Sequence, residues 1–155
     1  MTLNIPLLTA CLGFAAGIFT VLSFLEKPVW PMMLNANSHA VVNTEVKAVH
    51  GILNRLIRML PPTMMLTMLV VSCLLIERLI SSDFAKPEIS MATLFFGQMI
   101  IVVALLKSRI DGVKNVAADE DIIKLRKGLG ALTQLHHMGL AAAISTLCLQ
   151  LYYLS

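Results

Sequence analysis

Residues 5–28 read IPLLTACLGFAAGIFTVLSFLEKP. No charge falls between Ile5 and Leu25, and the run closes on Glu26-Lys27-Pro28. A helix rising about 1.5 Å per residue crosses a hydrocarbon core of about 30 Å in about 20 such residues. The stretch therefore reads as a membrane-crossing helix. No Lys or Arg precedes it and no small-residue cleavage site follows it, so a retained helix is expected and not a leader peptide. Three further runs have the same character: Met59–Ile76, stopped by Glu77-Arg78; Ile89–Leu106, stopped by Lys107; and a last one from about Leu129 to Leu154.

Composition agrees with four spans. Of 155 residues, 57% are hydrophobic and 14% charged, and the mean hydropathy is +0.82. A soluble domain carries about 25% charged residues. The three cysteines all lie inside apolar runs, which excludes a secreted disulfide scaffold. A net charge of +3, with no basic run beside stacking aromatics, excludes a nucleic-acid module. There is no internal repeat and no low-complexity segment. The expected fold is all-α: a single integral membrane domain over residues 1–155, a four-helix transmembrane bundle spanning about 5–25, 59–76, 89–106 and 129–154.

Orientation follows from the basic residues. The first and third loops hold Lys27, Lys47, Arg55, Arg58, Lys107, Arg109, Lys114, Lys124, Arg126 and Lys127, and the second holds only Arg78 and Lys86. Ten cations against two place loops one and three in the cytoplasm and both termini outside, in a plasma or bacterial inner membrane. Trp30 and Tyr152-Tyr153 fall where interfacial aromatics are expected.

The first loop carries its own helical pattern. Val46, Val49, Leu53, Leu56 and Leu60 recur at helical spacing, with Lys47, His50, Asn54 and Arg58 as an opposing stripe. This predicts a cytoplasmic amphipathic helix over residues 43–60 that meets the second span at a break set by Pro61-Pro62. In the third loop, Asp119-Glu120-Asp121 is expected to open the helix that becomes span four, acidic residues suiting a helix N-terminus.

Several residues invite chemistry. His136-His137, beside Gln134, lies about two turns into span four, where ionisable groups face a bundle interior or a wet cavity. Neighbours on a helix point about 100° apart, so one imidazole faces the bundle while the other faces elsewhere. The bland alternative is a neutral imidazole bonded to Gln98 or a backbone carbonyl as interhelical glue. The Lys47-His50-Asn54-Arg58 stripe either roofs a cytoplasmic pocket, with Arg58 gripping an anion, or lies on anionic headgroups. Glu26 reads as a solvated boundary residue or a partner for one of these cations. Met64-x-x-x-Met68 presents two thioethers on one face and resembles the methionine pair of copper-uptake transporters. With Cys11, Cys73 and Cys148 in the same half of the bilayer, these form a soft-metal alternative suited to Cu(I), against ordinary core packing. Gly13-x-x-x-Gly17 permits close helix contact and a homo-oligomer. Gly128-Leu-Gly130 lacks the third glycine of a nucleotide loop, and no GxSxG, HExxH, CxxC or Walker sequence is present.

Taken together, the glycine-containing first span (Gly13, Gly17), the approach His50-x-x-x-Asn54-Arg55, the basic connector with Asn115 and the early span-four histidine (His136 or His137) resemble the anthrone-oxygenase-like family of small four-span membrane proteins. The sequence lacks a proline before Asn115 and a tryptophan before the histidine, both usual there. The resemblance implies oxidation of a hydrophobic substrate drawn from the bilayer. His136, His137 and His50 would then be the catalytic residues, and Asn54, Arg58 and Gln134 the substrate-binding ones. A haem variant would use His50 and a span-four histidine as axial ligands. Two other readings remain open: a copper-binding or transfer protein, and a non-catalytic assembly or lipid-binding subunit.

Overall fold

The computed structural model describes residues 4–114, 116 and 121–153. Among them the regular elements are all helical: α1 (Asn4–Glu26), a 3-10 segment (Lys27–Met33), α2 (Asn43–Leu56), α3 (Leu60–Ser81), α4 (Lys86–Lys114) and α5 (Ile122–Tyr152). Three of these are long and apolar enough to cross a membrane: α1 with its 3-10 continuation (Asn4–Met33), α3 and α4. The fourth expected span, α5, has the length at 31 residues, but Gln134, His136, His137 and Gln150 dilute its apolar character.

Local chemistry explains the breaks. After α2 ends at Leu56, Ile57–Met59 turn, with Met59 N–H donating to Leu56 O. Pro61 and Pro62 then fall in the first turn of α3, where a missing N–H costs nothing. The α3–α4 corner is a Schellman motif: Phe84 N–H donates to Leu79 O and Asp83 N–H to Ile80 O. Asp83 (φ 52°) takes the left-handed position that glycine usually fills, and Phe84 (φ 57°) follows it. At the start of α5, Asp121 caps the helix by accepting from Lys124 N–H at 2.9 Å; Asp119, Glu120 and Asn115 lie outside the described residues.

The amphipathic helix is present, but its faces differ from the expected stripe. Its buried side is Val46, Val49, His50 and Leu53. His50 lies one turn from Val46, and a step of four returns to the same face. It therefore joins the apolar side, while Lys47 and Arg58 stay exposed.

α5 is the axis of the bundle. Its glycines mark where other elements press against it. A Cβ on Gly128 would collide with the Gly112 carbonyl of α4, and one on Gly130 with the Met32 carbonyl of the 3-10 segment. On Gly139 a Cβ would lie 2.6 Å from the Phe19 ring of α1. Glycine removes these collisions and lets the backbones approach. Arg126, 8% exposed, reaches from α5 to hold the connector before α2. Its guanidinium donates to Ala36 O at 2.8 Å, Ser38 O at 2.5 Å, Val41 O at 3.0 Å and Asn43 Oδ1 at 3.0 Å. By contrast, Gly13 and Gly17 face outward with no neighbour within 4 Å.

Candidate functional site

Because the chain stays helical through Met33, Glu26 is not at the end of a rod but inside one. Its side chain is 0% exposed. His136 of α5 meets it there: Nδ1–H donates to Glu26 Oε1 at 2.6 Å. That hydrogen bond leaves the lone pair on Nε2, on the far side of the ring, and among the described residues nothing hydrogen-bonds that atom. Carboxylate, imidazole and free Nε2 make the arrangement by which enzymes orient a histidine base. The second carboxylate oxygen, Glu26 Oε2, is buried without a partner.

His137 is held differently. Its Nδ1–H donates to Thr133 O at 2.9 Å and its Nε2 accepts from Ser23 Oγ at 3.0 Å. Trp30 closes over it edge-on, with ring centroids 5.4 Å apart, and donates from Nε1 to Ser23 O at 3.0 Å. Both nitrogens of His137 are thus spent on α1 and on its own helix. The two adjacent histidines divide into one with a free atom and one without.

His136 lines a cavity of about 300 Å³ enclosed by α1, α2, α3, α4 and α5. This is the lower end of the range for small-molecule sites. Its walls are almost wholly apolar, and only Ser72, Gln98 and His136 bring polar side chains to it. Ser72 Oγ–H is committed to Met68 O at 2.7 Å. Gln98 of α4 is not committed: its Oε1 is buried with no partner. An unpaired amide in an apolar span is costly, so its persistence beside a cavity points to a ligand group that satisfies it. Met64, Met65, Met68 and Met99 form a flexible thioether wall. Met65, Leu69 and Val103 both line the cavity and are 62%, 61% and 55% exposed on the outer surface. The cavity therefore opens sideways between α3 and α4.

The other sequence-predicted residues lie elsewhere. His50 is buried against Val113 O at 3.2 Å and is not part of the cavity wall, so it does not face the span-four histidines as a haem ligand or mouth residue. Gln134 is exposed and bonds neither imidazole, Asn54 is half-buried outside the wall, and Arg58 is exposed. Met64 and Met68 reach the cavity, whereas Cys73 and Cys148 are exposed and Cys11 is half-buried, none of them lining it. No group of three or more His, Cys, Asp or Glu gathers to hold a metal among the described residues. Sequence reasoning missed Glu26 as the partner of His136. The available signal was its position, at the same end of the bundle as the start of the last helix.

Comparison with protein families, with curated proteins and with solved structures returned no match to this chain.

Proposed function

We propose that the protein is a four-span membrane enzyme that admits a hydrophobic molecule sideways from the bilayer and removes a proton from it with His136. The observation that carries this reading is the His136–Glu26 hydrogen bond of 2.6 Å with Nε2 left over at an apolar cavity. In this reading α5 is the fourth span: Thr133, Thr146 and Gln150 are turned inward at 0% exposed, while Gln134 is a polar side chain left on its outer face. The ten-to-two division of cations then sets both termini outside.

The chemistry suits a substrate with one activated methylene. Nε2 takes a proton from that carbon, Glu26 stabilises the imidazolium formed, and the Gln98 amide N–H, not its buried Oε1, would donate to the oxygen on which the negative charge collects. With dioxygen as oxidant the overall change is a CH₂ group plus O₂ giving a carbonyl plus water, as the anthrone-oxygenase-like resemblance implies. Supporting the reading further, an apolar pocket excludes water from a reactive carbanion.

The test is oxygen uptake and quinone formation by protein in nanodiscs supplied with an anthrone. Wild type should turn over, His136→Gln should not, and a variant that fills the cavity, Ala143→Phe, should lose binding while staying folded. Turnover unchanged in His136→Gln would overturn the reading. A soft-metal function has one supporting observation, the four thioethers in one wall, and copper bound after mild purification and lost in a Met64→Leu/Met68→Leu variant would favour it.

A further inference from the structure

A second concavity, of about 180 Å³, lies between α4 and α5 and is lined by Ser108, Arg109, Gly112, Lys124, Lys127, Gly128 and Ala131. None of these residues lines the large cavity. Its construction begins with the glycine contact. α4 and α5 touch at Gly112 and Gly128, so closely that any side chain on Gly128 would strike the Gly112 carbonyl. The groove therefore has a floor of backbone and small side chains. Three cations surround that floor, Arg109 from α4 and Lys124 and Lys127 from α5. Like charges so gathered repel unless an anion lies between them.

The described residues supply no such anion. None of the three makes an ion pair or a side-chain hydrogen bond among them. Asp121 spends a carboxylate oxygen on Lys124 N–H, and Asp111 is not part of the lining. Height in the bundle narrows the ligand further. The apolar run of α4 ends at Leu106, and Lys107 begins the polar turn, so the groove lies where a membrane-crossing helix leaves hydrocarbon. Arg and Lys gathered between helices at that level are the chemistry that holds phosphate headgroups. A guanidinium supplies a two-pronged donor, two ammonium groups supply charge, and the Ser108 hydroxyl adds a donor.

We propose that this groove is a binding site for a phosphate group, carried by an anionic lipid or by a free anion, and that it is separate from the large cavity. The experiment compares wild type with Arg109→Gln/Lys124→Gln/Lys127→Gln. A control, Lys107→Gln/Lys114→Gln, removes charge from the same region without touching the groove. Lipid retention is read by native mass spectrometry from mixtures of phosphatidylglycerol and phosphatidylcholine, and inorganic phosphate is titrated in neutral detergent as the second arm. Wild type and control should prefer the anionic lipid, and the triple variant should lose at least about tenfold in that preference. Preference for phosphatidylglycerol with weak phosphate binding identifies a lipid headgroup; saturable phosphate binding in detergent, lost in the triple variant, identifies a free anion. Equal retention by the triple and control variants, with both folded by thermal melt in neutral lipid, would overturn the proposal.

Discussion

α5 carries two polar knots, one toward its C-terminus and one at its middle, and the two are built from similar parts with opposite outcomes. Toward its C-terminus, Gln150 is 0% exposed and accepts from Arg78 Nη1 at 2.6 Å, while Arg78 Nη2 donates to Glu88 at 2.9 Å. Gln150 Nε2 reaches Thr9 Oγ1 at 3.5 Å. That knot closes on itself and ties α1, α3, α4 and α5 together. At the middle of the helix, His136 and Glu26 also pair, but Glu26 Oε2, Thr133 Oγ1 and, on α4, Gln98 Oε1 are left without partners. Burying polar groups is tolerable when every one is bonded, and costly when some are not. The closed knot is a staple. The open one keeps unpaired atoms, and of its residues His136 and Gln98 line the cavity.

The largest effects should come from breaking the open knot. His136→Ala strands a fully buried carboxylate, so it should cost about 3–5 kcal/mol in thermal or chemical unfolding as well as all turnover. Replacing both partners, Glu26→Leu/His136→Leu, should recover most of that stability and none of the activity. If the double variant is as unstable as the single one, the pair is not an isolated buried couple. At the staple, Arg78→Ala takes the donor from Gln150 Oε1 and Glu88 Oε1 and should lower stability by about 1–3 kcal/mol, while hydrophobe binding at the cavity stays at the wild-type level. A loss of binding there would erase the distinction between the two knots.

Smaller changes sharpen the comparison. Gln98→Leu removes an unpaired amide and should hold or raise stability by about 1 kcal/mol, yet weaken binding of oxygen-bearing ligands relative to hydrocarbons of equal size. Ser23→Ala should cost about 1 kcal/mol by loosening His137, with turnover retained. At the α3–α4 corner, which the Arg78–Glu88 pair spans, Asp83→Gly relieves a left-handed residue and should stabilise by about 0.5–1 kcal/mol, read as a raised melting temperature.

Much of the helical architecture was legible because apolar runs and their charged stops are strong signals. α1 begins and ends near the expected limits, α3 begins where expected but runs through Glu77-Arg78 to Ser81, and the Pro61-Pro62 break is where the backbone chemistry puts it. α4 runs on past Lys107 to Lys114, because a charge ends an apolar run without ending a helix. His136 was legible as an ionisable group in a long apolar run. Its partner was not, because Glu26 stands beside Lys27 and reads as a membrane boundary; only the continuation of the rod through Met33 draws it inside. His50 was misassigned for a related reason. Helical steps of four make a residue look like a member of a polar stripe when it is equally one turn from Val46. Gln134 stood next to the histidines in sequence, but adjacent residues on a helix diverge, and it faces out. What pattern cannot supply is which polar atoms remain unpaired, since that depends on every neighbour in three dimensions.

The most direct test of the open knot is proton exchange without oxidation. Under anaerobic conditions in deuterated buffer, an anthrone held by the protein should exchange its methylene hydrogens faster than in empty nanodiscs. His136→Gln should return the rate to background, whereas Arg78→Ala, which breaks only the staple, should leave it unchanged. Equal exchange by wild type and His136→Gln would contradict the assignment of Nε2 as the base, and with it the difference drawn between the two knots of α5.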